Sequence, residues 1–458
     1  MQKNTLLFIL AFCLAVLVSC NNQPASVTAV AKNDSVSYSV QHVDWIKTAN
    51  VYEVNMRQYT KSGTFKEFKT HLPRLKDMGI QIVWFMPINP IGKINRKGKL
   101  GSYYSVADYK GINPEYGSLA DFKDLVNEIH KLGMYAIIDW VPNHSAWDNP
   151  WTKSNPDFYT KDSTGNFIPP LGTDWTDVIE LNYDNQQMRK EMIGALKFWI
   201  DSTNVDGFRF DHASGVPTDF WNVACDSLRK IKPVFLLAEA EQADHQYKAF
   251  DAGYGWVLHH LLHSIAKGEK NVSDLDAYFA KDTVEYKPNA IRLMFTTNHD
   301  ENSWNGTEYE KFGEATKTFT ALTYLVPGMP LLYSGQEAGL KKRLKFFEKD
   351  QIDWKNTELA DYIKKLNQLK KDQESLWNAG WGAEMQRIKT DNDKNVFAFV
   401  REKGNSKVIG IFNLSKDQLK VNLQSGVNLD GMKDYFTNQQ VNSASFDLKP
   451  WQYFILVK

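Results

Sequence analysis

The stretch SLADFKDLVNEIHKLGMYAIIDWVPNH, residues 118–144, holds the pattern that the rest of the chain repeats. In its first half Leu119, Phe122, Val126, Ile129 and Leu132 fall at helical spacing, so one face of a helix is apolar. Ser118 stands before that helix with Asp121 three residues on, the pattern of a capping box, and Gly133 ends it. MYAIIDWV (134–141) is then apolar almost throughout, as a strand buried on both faces must be. Asp139, Asn143 and His144 come at its end.

The same alternation extends in both directions. Strands are predicted at VYEVN (51–55), QIVWFMPI (81–88), VDGFRFD (205–211), VFLLAEA (234–240), IRLMFTTNHD (291–300) and MPLLYSG (329–335), with a weaker one within 248–258. FKEFKTHLPRLKDMG (65–79) and QQMRKEMIGALKFWI (186–200) read as helices between them. Strand then helix, eight times over, predicts an α/β fold of the TIM (β/α)8 barrel type. Two connections are too long for plain barrel turns: 89–117, and 145–182, which carries Trp147, Trp151 and Trp175. These tryptophans suit either a loop core or a platform for a sugar ring. Beyond residue 380 the pattern turns to period two, in VFAFVREK (396–403), KVIGIFNLS (407–415), LKVNLQ (419–424) and FDLKPWQYFILVK (446–458). That predicts a C-terminal antiparallel β-sandwich domain over 381–458.

The N-terminus reads as targeting rather than fold. A basic start precedes the apolar run LLFILAFCLAVLV (6–18), which is short for a membrane span. Leu17-Val18-Ser19-Cys20 looks like a bacterial lipobox, with 1–19 as a lipoprotein signal peptide and Cys20 as the lipidated residue. An ordinary secretory signal is the alternative, and both export the protein. Residues 20–44 are small, polar and aperiodic, a flexible tether to a catalytic domain over 45–380. Lys plus Arg and Asp plus Glu are 54 each, and this zero balance argues against a nucleic-acid partner. Of three cysteines, Cys13 lies in the leader and Cys225 remains as a small hydrophobe, so neither a disulfide framework nor redox chemistry is suggested.

In a parallel barrel, chemistry gathers where the strands end. Those ends supply Asp139 and His144, then Arg209 and Asp211, then Glu239, then His299 and Asp300. A lone Asp at a strand end commonly caps the next helix, but four such ends with His and Arg among them point to a site. Arg209 and Asp211 are two apart on a strand and share a face, so the guanidinium favours an ionised Asp211, a candidate nucleophile. Glu239 follows Leu236, Leu237 and Ala238, and an apolar setting together with neighbouring carboxylates would raise its pKa as a general acid requires. Two carboxylates with split roles are what glycoside hydrolysis needs, and Asp300 could stabilise an oxocarbenium-like transition state or hold sugar hydroxyls.

DWVPNH (139–144), GFRFD (207–211), AEA around Glu239 and TNHDEN (297–302) resemble the four sequence regions of the α-amylase family, glycoside hydrolase family 13. GSYYSVADYKGINPEYGSLADFKDLV (101–126), IELNYDN (179–185), YSGQEAG (333–339) and IDW (352–354) resemble further family segments. The resemblance implies Asp211 as nucleophile, Glu239 as acid/base and Asp300 as transition-state stabiliser. It implies that Arg209 positions the nucleophile, that His144 and His299 bind sugar hydroxyls, that Tyr104 stacks under the sugar, and that Asp139 ties Arg209 to the strand ends. The implied reaction is retaining cleavage of α-glucosidic, mainly α-1,4, bonds in starch, maltodextrins or related α-glucans. An α-glucosidase, a neopullulanase or cyclomaltodextrinase-like enzyme and a transglycosylase share that trio; an inactive glycan-binding protein would be expected to lack part of it. The implied inserted B domain is 145–182.

The catalytic machinery of the family needs no metal. Many members carry Lys-His three and four residues after the nucleophile, serving the leaving group and a calcium site. Here those positions are Ser214 and Gly215. Asn143 matches a calcium ligand of those members, but its partners are not evident, so structural calcium is unsupported. HHLLH (259–263) could face a metal across one helical turn, yet no acidic third ligand is visible and ordinary core or surface histidines are the simpler reading.

Overall fold

A computed structural model of the chain describes residues 39–355 and 358–458. The expected signal peptide, Cys20 and the expected tether as far as residue 38 lie outside the described residues. Eight parallel strands close into a barrel in sequence order: β1 (Val51–Val54), β2 (Ile82–Phe85), β3 (Tyr135–Trp140), β4 (Gly207–Phe210), β5 (Phe235–Ala238), β6 (Ala252–Tyr254), β7 (Ile291–Met294) and β8 (Met329–Tyr333). β8 returns to β1, with Val51 opposite Leu331. Alternate residues fill the barrel, among them Val51, Ile82, Trp84, Ile137, Leu237 and Leu331. The intervening ones, such as Val83, Phe85, Ile138 and Phe208, join the outer cluster with the surrounding helices. Both faces are therefore apolar, which is why the strands read as unbroken runs.

β6 is the short one, and Gly253 sits at its centre. A Cβ there would come within 2.8 Å of the Ala240 carbonyl oxygen, so close packing removes the bulky residues that would have marked a strand. The helix Leu119–Lys131 starts on the expected capping box, in which Ser118 and Asp121 each accept the other's backbone N–H. The 65–79 segment is two helices, Phe65–Lys69 and Leu72–Asp77, rather than one. Pro73 stands in the first turn of the second, where its missing N–H is no loss, and it cannot continue the first.

The 145–182 insertion folds back on β3. Ser145 and Ala146 pair with Ile179 and Val178 in an antiparallel ribbon that opens at His144. Phe158, Tyr159 and Ile179 bury themselves in the barrel's outer cluster. The C-terminal domain has strands β9 (Gln386–Ile388), β10 (Val396–Lys403), β11 (Ser406–Asn413), β12 (Leu419–Asn422), β13 (Lys433–Asp434), β14 (Ser445–Leu448) and β15 (Tyr453–Val457). They form a five-stranded sheet, β9-β10-β11-β15-β13, and a two-stranded one, β12-β14. Val396, Ile409, Val421 and Phe446 pack between the sheets. Phe397, Phe399 and Phe412 face the other way, onto Phe319 and Leu322 of the barrel helix Thr316–Leu325. Arg401 of β10 spans that junction, donating to the carbonyls of Leu325, Val326 and Ala383 at 3.0, 3.2 and 3.0 Å.

The expected tether ends sooner than residue 44. Ser39 N–H donates to the Tyr247 carbonyl at 2.8 Å and Val40 is buried. The His42 ring lies 2.9 Å from Asp251 and 2.8 Å from the Asn289 carbonyl. The partners are more than 200 residues away along the chain, so local composition could not reveal these contacts. Among the described residues no helix is long and apolar enough to cross a membrane.

Candidate active site

Parallel register brings the charged strand ends to one mouth. Asp139 on β3 stands directly beside Arg209 on β4. Asp211 follows β4 and Glu239 follows β5, each anchored by a backbone N–H: Asp211 to Trp140 O at 2.8 Å, Glu239 to Phe210 O at 2.9 Å. Glu53 comes from β1, and His299 and Asp300 lie beyond β7.

Arg209 is the hub, with 0% of its surface exposed. Its Nη1 donates to Asp139 Oδ1 at 2.9 Å and to Asp211 Oδ1 at 3.0 Å. Its Nη2 makes an ion contact of 2.8 Å with Glu239 Oε1, and Nε donates to the Tyr254 hydroxyl at 3.2 Å. The guanidinium also lies 5.1 Å from the centre of the Trp84 ring. A buried cation is tolerable only when fully paired, and here three carboxylates surround it. Asp139 is held on its other oxygen by Trp84 Nε1 at 3.2 Å and by the Tyr104 hydroxyl at 3.1 Å.

Burial raises Asp139 to about 6, with Arg209 opposing. Burial, then the Glu239 carboxylate, push Asp211 well above the ordinary carboxylate range, and Arg209 does not cancel them. Arg209 does favour the ionised form of Asp211, as expected, but burial and the Glu239 carboxylate act against it. Glu239 does not sit in the apolar setting expected for it: its Oε2 accepts the His212 N–H at 2.7 Å and its Oε1 meets Arg209. Leu236 and Leu237 precede it in the chain, but the carboxylate leaves the strand into a polar neighbourhood. Burial raises Asp300 too, against the pull of His299. Asp139, Asp211 and Asp300 therefore each hold a proton to higher pH than an exposed carboxylate would, burial being the first cause in all three.

Glu53, which the sequence reading did not single out, completes the floor. His299 Nδ1 donates to Glu53 Oε1 at 2.5 Å. Its Nε2 lies 2.7 Å from the Tyr104 hydroxyl and 3.4 Å from Asp300 Oδ2. Burial works against a charged ring, but Asp300 and Glu53 outweigh it and raise His299 to about 9. His144 is the opposite case: burial first, then His212, lower it to about 3, so its imidazole is neutral.

A cavity of about 850 Å³ opens above this floor, and Asp211, Glu239, Asp300, Tyr104 and His144 all line it. Arg209, Asp139 and His299 lie beneath. Trp175 lines the cavity with Trp256, Phe346 and Trp304, the last 51% exposed. Such flat faces suit sugar rings. Trp151 instead packs against Tyr109 and Phe158, and Trp147 donates to the Thr176 carbonyl. Trp304, Phe346 and Trp256 were not picked out from the sequence: the first two sit in irregular segments after β7 and β8, and Trp256 opens the helix Trp256–Lys267, where nothing local marks it as facing a cavity. His259 is buried and lies 3.1 Å from Glu301.

At Asn143 only the side-chain oxygen is left to offer a ligand. Its backbone carbonyl accepts the Leu181 N–H at 3.0 Å, and its side-chain Oδ1 faces Gly215, where a Cβ would come within 2.7 Å. Among the described residues no three His, Cys, Asp or Glu side chains gather where they could hold a metal ion.

Residues 47–413 match the alpha amylase catalytic-domain family, and 388–452 match the alpha amylase C-terminal all-beta domain. The chain belongs to the alpha-amylase family. A noncanonic maltogenic alpha-amylase, AmyB, from Thermotoga neapolitana is similar over 90% of this chain and 99% of its own, with 30% identity and a TM-score of 0.81. An alpha-amylase from Lactobacillus plantarum shares 25% identity over the same proportions, also at a TM-score of 0.81. Alpha-amylase 3 of Dictyoglomus thermophilum is 24% identical over 480 residues, 90% of this chain and 93% of that relative. This alpha-amylase family member is accordingly a glycosidase, with the barrel and C-terminal β-domain of its relatives.

Proposed function

We propose that the protein hydrolyses α-1,4-glucosidic bonds in starch, maltodextrins or related α-glucans with retention of configuration, using Asp211 and Glu239. The observation that carries this reading is the contact of Asp211 and Glu239 with two nitrogens of one buried guanidinium, under a cavity that Asp300 also lines. One guanidinium fork favours the close carboxyl spacing, about 5–5.5 Å, of retaining enzymes.

In the first step an Asp211 oxygen attacks C1 of the sugar while Glu239 gives its proton to the glycosidic oxygen. The C1–O bond breaks and a β-glycosyl ester forms on Asp211. Glu239 then takes a proton from water, the resulting hydroxide attacks C1, and Asp211 leaves as the carboxylate. At each transition state C1 carries positive charge, which the Asp300 carboxylate opposes. Tyr104 offers a ring face to the sugar, His144 presents a neutral ring to its hydroxyls, and His299 acts from beneath by holding Tyr104 and Asp300. The names of the relatives, alpha-amylase among them, support an α-glucan substrate.

Export and lipid anchoring through Cys20 form part of the same proposal, supported by the basic start, the apolar run 6–18 and Leu17-Val18-Ser19-Cys20. Labelled palmitate should enter the wild-type chain in a bacterial host and be lost from Cys20→Ala; equal labelling would overturn the anchor.

The function is tested with soluble protein starting at Asn21, on starch, maltoheptaose, pullulan, β-cyclodextrin and p-nitrophenyl α-glucoside. Starch or maltoheptaose should yield products born as α-anomers, seen by NMR during the first minutes. Products born as β-anomers would overturn the retaining mechanism. With Ser214 and Gly215 in place of the Lys-His pair, EDTA should leave both turnover and melting temperature unchanged.

A further inference from the structure

The tip of the loop after β2 bridges two other loops. Lys97 Nζ donates to the Asp174 carbonyl at 2.8 Å and lies 3.5 Å from Asp177 Oδ1, both in the insertion after β3. Three residues on, Leu100 N–H donates to the Phe347 carbonyl at 2.9 Å, in the segment after β8. Gly98, at φ +62°, lies flush on Phe347, where a Cβ would come within 2.4 Å of the Phe347 Cβ. Arg57, which is buried, locks the same junction. It donates to the carbonyls of Leu100, Gly101 and Phe346 at 3.2, 3.0 and 3.2 Å. The bridge is therefore tied at both ends and held from below.

Its place on the barrel gives it a direction. β2 and β8 flank β1, and β1 stands diametrically across the closed ring from β5. Glu239 follows β5. An acid that protonates the leaving oxygen must face the departing part of the chain, so that part lies on the Glu239 side, where Glu241 and Trp256 also line the cavity. The part retained on Asp211 extends the opposite way, toward Tyr104, Phe346 and the bridge.

We infer that the bridge from Lys97 to Leu100 closes the donor side of the cleft, so that the protein acts from the non-reducing end of an α-glucan and releases a short saccharide of constant length. The inference rests on the proposed roles of Asp211 and Glu239. A glucan cannot thread past a tied loop, so only a chain end fits beneath it.

The test compares maltoheptaose with maltoheptaose whose non-reducing terminal sugar carries a 4,6-O-benzylidene cap, following products by chromatography. The free oligosaccharide should yield one short product from the first time points. The capped one should react about tenfold more slowly or worse, because the cap meets the bridge. Equal rates with mixed fragment lengths would overturn the inference and leave the reading of Asp211 and Glu239 standing. Failure to cleave either substrate would overturn both. The double substitution Lys97→Ala, Arg57→Met removes the side chains that tie the bridge to the insertion and hold it from below, and should raise the capped-to-free rate ratio by about tenfold. An unchanged ratio in that folded variant would remove the bridge as the cause.

Discussion

Asp211→Asn exchanges a carboxylate for an amide of nearly the same shape, whose oxygen can still accept from Arg209 Nη1. The fold should persist while kcat on maltoheptaose falls by about 10⁴-fold, the scale seen when a nucleophile is removed. Turnover near the wild-type level, with an unchanged melting curve, would reassign the nucleophile. His299 allows a pH prediction. Its folded value of about 9 lies above the ordinary 6.5, so its stabilisation is complete below pH 6.5 and gone above pH 9. The melting temperature should decline across that window, and Glu53→Gln, by removing one of the two carboxylates that hold the proton, should move the decline to lower pH. Calorimetry between pH 6 and 10 reads both. Arg209, Asp211, Glu239 and Asp300 were legible because each stands at the end of an apolar strand. Glu53 was not: VYEVN shows one carboxylate amid apolar neighbours, and its partner His299 is 246 residues away.

At the scale of elements, strands buried on both faces announced themselves as unbroken apolar runs, while β6 was faint because Gly253 packs too closely for a bulky neighbour pattern. Helix starts were legible where a cap is local, as at Ser118, and the break at Pro73 was missed because the apolar spacing carries on across it. Gly207 offers the sharpest element-level test. It opens β4 at φ +154°, and an added Cβ would lie 1.8 Å from the Phe235 carbonyl oxygen of β5. Gly207→Ala should therefore separate β4 from β5 and cost about 3 kcal/mol or more. Thermal melting of the soluble fraction measures it, and a loss of under about 1 kcal/mol would mean that the strands can shift to admit the methyl group.

The whole molecule behaves as barrel and C-terminal domain sharing one core. Phe319 and Leu322 of the barrel are covered by Phe397, Phe399 and Phe412 of the C-terminal sheet. A chain ending before Gln386 should expose that face and aggregate, whereas independent folding of the barrel would show as a soluble fragment with its own melting transition. Arg401 shows why the junction was not legible: its acceptors are backbone carbonyls, which no side-chain pattern records. The N-terminal strap has a further consequence. Asp251 immediately precedes β6 and Asn289 comes just before β7, so His42 is moored at the ends of the strands remote from the catalytic mouth. A pull on the chain at Ser39 would therefore be borne by the underside of the barrel, leaving the catalytic mouth at the far ends of the same strands undisturbed.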